Sequence, residues 1–346
     1  MAQIGKEPVF FRRNRVFRVY QGGALFHDLM GDAKEDNYYP EEWIASAVRA
    51  MNEGHDDPLE GVSIAEDGTP FSQLLEQYPR EMLGDRESLG VLVKFLDSAI
   101  RLPMQAHPTR AFSKANFGSP YGKAEAWLIL ATRPDACIYF GFSREVSREE
   151  FSAAIDGSEH DPEAMTGFVN RCPVKTGDVF FVPAGAIHAI GAGCLILEVQ
   201  EPTDFTIQPE RWCGEYRLSD EVMYLGLGRE KAMDCFDFTR YGWNVVEENR
   251  KLPVTLEAGE GFVRDQLIGP DTTECFSMER LRVNGGAYTL APGAIYIATE
   301  GEGSLTGEGY AHAVRKGEYF YLPAMADGIT VTSESGLELI RCAGGK

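Results

Sequence analysis

Gly177-Asp178-Val179-Phe180-Phe181-Val182-Pro183-Ala184-Gly185-Ala186-Ile187-His188 reads as turn, strand, turn and a single histidine. Gly-Asp opens a turn, Val179 to Val182 is an apolar run of strand length, and Pro-Ala-Gly is a second turn. His188 is therefore expected on a rigid hairpin. The pattern returns 140 residues later, where Arg315-Lys316-Gly317-Glu318-Tyr319-Phe320-Tyr321-Leu322-Pro323-Ala324 matches Lys175 to Ala184 in register. Such self-similarity suggests two copies of one β unit, and short strands with frequent turns suggest antiparallel jelly-roll packing. The second copy carries Gly328 where the first has His188, so it is read as structural and without a metal ligand.

Upstream, Met104-Gln105-Ala106-His107-Pro108 sets Gln105 and His107 two residues apart, on one face of an extended segment. Gly122-Lys123-Ala124-Glu125-Ala126-Trp127-Leu128-Ile129-Leu130 opens at a glycine turn and runs into an apolar block, with Lys123, Glu125 and Trp127 on one face. Two imidazoles, a carboxylate and a carboxamide oxygen form a mixed nitrogen and oxygen set suited to a borderline divalent ion, zinc first. Such a set leaves room for water or substrate.

These residues resemble the zinc-dependent type I phosphomannose isomerases of the cupin superfamily. The resemblance rests on Gln105-Ala106-His107-Pro108, Tyr121 to Trp127, Gly177-Asp178 through Gly191, and Leu197-Glu198-Val199-Gln200-Glu201-Pro202-Thr203-Asp204, and it covers most of the chain. It implies one zinc ion on Gln105, His107, Glu125 and His188, and a sugar-phosphate substrate, with mannose 6-phosphate and fructose 6-phosphate interconverted through an enediol. Glu198 is the implied acid/base group, Lys123 a contact to the phosphorylated sugar, and Asp204 an organiser behind the metal. Alternation in Leu195-Ile196-Leu197-Glu198-Val199-Gln200 puts Glu198 opposite the apolar face of Leu195, Leu197 and Val199; without the resemblance, a solvent-facing strand carboxylate reads equally well.

One position departs from the family. An arginine is usual four residues after the aspartate that matches Asp204, and this chain has Gln208, a carboxamide that donates hydrogen bonds without supplying charge. Arg211 in Pro209-Glu210-Arg211-Trp212 is the candidate replacement and is carried as a catalytic residue; otherwise the substrate differs. Two other readings stay open: a non-catalytic sugar-phosphate-binding cupin, and another metal cupin enzyme such as an Fe(II) oxygenase, because two histidines and a carboxylate also suit that ion.

The whole chain is consistent with these expectations. Its 346 residues are 44% apolar, enough for a sizeable core, and its formal net charge of -20 disfavours nucleic acid or an anionic membrane as partner. An anionic small substrate then requires a locally positive pocket. Seven cysteines without a Cys-x-x-Cys pair read as reduced thiols, and no leader or long apolar run is read, so a cytoplasmic protein is expected.

The expected fold is mainly β, two jelly-roll (cupin) barrels with a small helical excursion. The expected division is residues 1–212 as a metal-binding catalytic cupin with a helical insertion near 147–170, 213–244 as a helical connector, and 245–346 as a C-terminal cupin without metal ligands. A capping-box-like start at Ser147-Arg148-Glu149-Glu150 begins the insertion, Phe71 to Tyr78 and Ser219 to Leu225 read as short helices, and Leu89 to Leu96 reads as a buried strand. Pro40-Glu41-Glu42-Trp43-Ile44 is a helix start on local rules and a strand by the resemblance; the strand is preferred. From Val245 onward the chain reads as strand-rich. His27, His55 and His160 lie in polar turns and are assigned no role, and His312 reads as a surface or hairpin residue. Gly301 to Gly307 is a glycine-rich hairpin rather than a nucleotide loop, since no helix pattern follows.

Overall fold

Alternating apolar residues and Gly/Pro turns build two antiparallel sheet systems. The computed structural model describes residues 4–345. One seven-stranded sheet runs in the order Arg250–Lys251, Val179–Val182, Glu125–Thr132, Cys194–Gln200, Leu92–Ser98, Glu41–Ile44, Arg15–Val16. A ten-stranded sheet gathers the C-terminal strands, and Val9–Phe10 from the other end of the chain closes one edge by pairing with Tyr319–Leu322. Exchange runs both ways, because Arg250–Lys251 pairs back onto Val179–Val182. A smaller sheet joins Val169–Pro173, Cys137–Phe142 and His188–Ile190.

The Cys194–Gln200 strand shows why the site is buried. Leu195, Leu197 and Val199 enter the cluster shared with Ile295, Ile297, Tyr321 and Ile340 of the C-terminal half. Cys194 and Ile196, on the opposite face, pack with Trp127, Phe140 and Phe180. Both faces are covered, so Glu198 is 2% exposed rather than solvent-facing. Reading alternation as apolar-in and polar-out assumes one wet face, and this sheet has none.

The mainly β expectation holds, as does the strand at Glu41–Ile44. Arg148–Gly157 is a helix whose Ser147 and Glu150 form a reciprocal capping box, and its Phe151, Ala154 and Ile155 pack with Leu218, Met223 and Phe236. Phe71–Gln77 and Asp220–Tyr224 are also helical. After Val245 the chain differs from expectation. Asn244–Asn249 is a helix that buries Val245, Val246 and Asn249, and strands begin only at Arg250. Two adjacent apolar residues, Val245 and Val246, suit the inner face of a helix as well as a strand.

Candidate metal centre

Two backbone segments are laced together to bring the candidate ligands into one place. Gln105 and His188 exchange both backbone hydrogen bonds, at 2.8 and 2.9 Å, which puts their side chains on one face. Gly185, at φ +86° in the turn after the Val179–Val182 strand, donates its N–H to the His107 carbonyl at 2.8 Å. A side chain there would be strained, so glycine fixes the approach of the hairpin to His107. Glu125 opens the neighbouring strand. Glu201 braces that opening, accepting from the Ala124 and Gly122 amides and from Arg110 Nε at 2.6 Å.

His107, Glu125 and His188 are buried, with ligand atoms all within 4.8 Å of one another. His107 Nδ1 lies 2.9 Å from the Phe205 carbonyl and His188 Nδ1 lies 2.9 Å from the Ala186 carbonyl. A carbonyl only accepts, so each Nδ1 carries the proton and each neutral ring turns a lone pair inward at Nε2. Those Nε2 atoms are 3.2 Å apart, and His107 Nε2 is 3.0 Å from Glu125 Oε1. Burial lowers both imidazoles, His107 to about 3, which keeps them neutral. Burial would raise Glu125, but the Lys123 ammonium beside it holds its carboxyl well below the ordinary carboxylate range. Converging lone pairs and a carboxylate with no proton to share fit a divalent cation. Gln105 lines the same cavity as Glu125, which places a fourth candidate donor beside the triad.

Glu125 opens onto a cavity of about 500 Å³. Lys123 Nζ is 3.2 Å from Glu125 Oε1 and 3.1 Å from Thr206 Oγ1. Glu198 stands directly opposite Lys94 on the neighbouring strand, and their charged atoms are 3.1 Å apart. Burial and the Glu125 charge push Glu198 up to about 8, against the pull of Lys94 and Lys123. Lys94 also faces Glu41, which Arg18 and Lys94 hold down to about 2 despite burial. Arg18 Nε is 3.1 Å from Glu41 Oε2, and its Nη2 is 3.2 Å from Asp204.

The predicted residues do not all meet. Gln105, Lys123, Glu125, Glu198, Asp204 and Gln208 line this cavity, with His107 and His188 at its buried end. Arg211 does not reach it. Its amide donates to Ser158 Oγ and its guanidinium pairs with Glu159 and Asp220, which turn it into a separate cavity of about 600 Å³ beside the Arg148–Gly157 helix. Three residues of sequence proximity to Gln208 end in different cavities. The cation near Asp204 is Arg18 instead. Sequence reading missed Arg18, Lys94 and Glu41, although Lys94 within the apolar run Val91-Leu92-Val93-Lys94-Phe95-Leu96 was a visible sign. A charge inside a buried strand requires a partner.

No family model matches the chain. Among curated proteins, it is 27% identical over 326 residues to a probable mannose-6-phosphate isomerase, GmuF, of Bacillus subtilis, covering 92% of each. It is 27% identical over 330 residues to the mannose-6-phosphate isomerase of Streptococcus mutans, again with 92% of each covered. Among solved structures, the mannose 6-phosphate isomerase of B. subtilis superposes with a TM-score of 0.76 at 24% identity, covering 97% of this chain and 99% of that one. A putative mannosephosphate isomerase from Archaeoglobus fulgidus gives 0.74 at 20% identity, with both chains covered in full. The resemblance carried by the four sequence blocks is thus borne out along nearly the whole chain.

Proposed function

We propose that this relative of the mannose-6-phosphate isomerases is itself a zinc-dependent aldose–ketose isomerase, interconverting mannose 6-phosphate and fructose 6-phosphate through an enediol. The observation that carries the reading is the pair of inward Nε2 atoms 3.2 Å apart beside Glu125, at the buried end of a cavity that also holds Glu198 and Lys94. Zinc would be held by Gln105, His107, Glu125 and His188. When bound, it supplies Lewis acidity toward the sugar oxygens.

Isomerisation moves one proton between adjacent carbons, and an acid/base group must reach both. Glu198 takes that role. Its carboxyl is the one pushed up toward neutrality, while Glu41 is held ionised, so one proton can be accepted and returned within the cavity. The enediol's developing negative charge falls among Lys94, Lys123 and Arg18, whose positions are fixed by ion pairs before substrate arrives. Arg18 thereby provides the positive charge that Gln208 lacks. Lys123 and Thr206 orient the sugar beside Glu125.

The test is a coupled assay of mannose 6-phosphate conversion on metal-analysed protein, before and after chelation and zinc return. Activity that vanishes on chelation and returns with zinc is expected. A zinc-loaded protein that binds the sugar phosphate without turnover would overturn the isomerase reading in favour of a binding protein.

A further inference from the structure

The three cations deep in the cavity are already engaged by carboxylates: Arg18 by Glu41 and Asp204, Lys94 by Glu41 and Glu198, Lys123 by Glu125. A sugar phosphate also carries a dianion at its far end, and in a chain of net charge -20 that end needs a cation of its own. Arg49 is that cation. It is exposed, lines the same cavity, and among the described residues has no carboxylate within ion-pairing distance.

Its guanidinium is nonetheless held in place. Arg49 Nε donates to the Asp57 carbonyl and Nη2 to the His55 carbonyl, both at 3.2 Å, which leaves Nη1 and its two N–H groups uncommitted. The loop that supplies those carbonyls is itself tied down. Glu60 accepts from Asn52 Nδ2 at 2.8 Å and faces His55 Nδ1 at 3.1 Å, and the His55 ring stacks on Phe17 with centroids 4.8 Å apart. Two contacts then anchor the loop to the deep end of the cavity. Asp204 accepts the Met51 amide at 2.8 Å, and Arg18 Nη1 donates to Asn52 Oδ1 at 3.1 Å. Lys94, Glu41, Arg18, Asn52, Glu60 and His55 thus form one polar chain from beside Glu198 to the mouth.

The geometry points to the loop 49–55 as the phosphate subsite, with Arg49 binding the phosphate monoester and His55, turned by Glu60, beside it. Glu53 lines the same mouth but accepts a hydrogen bond from Ser219 Oγ, so one of its oxygens is engaged. A guanidinium with a free N–H edge suits phosphate better than an ammonium, because it offers a planar pair of donors. The inference rests on the sugar-phosphate reading above and names the residues that read the phosphate.

The experiment compares wild type, Arg49→Ala and Arg49→Lys on mannose 6-phosphate and on unphosphorylated mannose. Charge-assisted hydrogen bonds of this kind correspond to roughly a 10- to 100-fold change in binding. In Arg49→Ala the KM for mannose 6-phosphate is expected to rise by that factor with kcat near wild type, and the preference for phosphorylated over plain mannose to fall equally. Arg49→Lys should recover part of the loss. An unchanged KM, or a loss shared equally by both sugars, would overturn the subsite while leaving the isomerase reading intact. If wild type turns over neither sugar, the isomerase reading fails and calorimetry with inorganic phosphate decides the subsite. Phosphate binding lost in Arg49→Ala supports it; binding absent from wild type, or equal in both, overturns it.

Discussion

The Val179–Val182 and Tyr319–Leu322 strands carry the same sequence pattern and lead into the same turn, yet they serve different ends. In both, the residue after Pro-Ala plus one closes on the proline carbonyl at 3.1 Å: Ala186 on Pro183, Ala326 on Pro323. Beyond that the paths part. The first hairpin presents Gly185 to the His107 carbonyl and delivers His188 against Gln105. The second packs its turn on the Pro79–Leu83 helix, with Ala324 donating to the Met82 carbonyl at 2.9 Å, and its Tyr319 hydroxyl donates to buried Glu42. One repeat unit frames the candidate metal site and the other clamps the N-terminal half. A shared hairpin fixes backbone, and use differs with the segments packed against its turn and exit.

The largest expected break in this comparison comes from His188→Ala. Without that Nε2 the converging set loses a donor, so metal content should fall from one per chain toward zero and activity by about 1,000-fold or more, given the size of electrostatic contributions to such sites. Metal analysis and the coupled assay read the two effects, and circular dichroism shows the fold retained. Full metal and activity in this variant would remove the site assignment.

Next in size is Glu198→Gln. Loss of a general acid/base costs roughly 100- to 10,000-fold in kcat, here with metal still bound. The pH profile carries the sign. Because burial and Glu125 raise Glu198 toward about 8, its proton persists above the ordinary carboxylate range and the base form grows as pH rises. Wild-type activity should therefore climb with pH on its acid side well above 4.5, the ordinary value for glutamate, and that limb should disappear in the glutamine variant.

How much of this was readable from sequence depends on the range of the contacts. His188, Gln105, His107 and Glu125 stood out because turns and two-residue spacing fix which way neighbouring side chains point. The repeated Gly-acid-strand-Pro-Ala pattern disclosed the second sheet system for the same reason. Arg18 was hidden because its partners Glu41 and Asp204 lie on distant segments, and no local pattern links them. Arg211 misled in the opposite way. It sits close to Gln208 in the chain, but Leu218 donates to its carbonyl and Ser158 accepts its amide, so the backbone carries it to the helical side. His55 looked like a turn residue and is one; its place in the cavity wall comes from tertiary structure that no local pattern shows.

A smaller effect separates clamp from site. Tyr319→Phe removes the hydroxyl that donates to Glu42, a carboxyl already raised by burial. Leaving a buried acceptor short of a donor costs about 1–3 kcal/mol. Arg15 and the Asn14 amide still contact Glu42, which favours the lower part of that range. A lower denaturation midpoint with kcat unchanged is expected. A matched loss of kcat would mean the two halves are coupled through Glu42 rather than merely clamped.

The smallest effect is expected from restoring the missing histidine, Gly328→His. If the residue at the hairpin exit were sufficient, the second copy would gain a metal site. Gly328 sits at φ +72°, and a side chain begun there meets nothing within 4 Å, so the imidazole would stand in open space. The group His107, Glu125 and His188 belongs to the first sheet system, whereas the strand after the second turn is paired by Gly286–Thr289 and by Ser304 to Thr306, which carry neither histidine nor carboxylate. Metal analysis should still find one ion per chain, with about 1 kcal/mol lost to the left-handed backbone. A second bound equivalent would show that the hairpin alone selects the ligands. One equivalent places the selection in the side chains of the segment laced to the hairpin, Gln105 and His107 in the first copy.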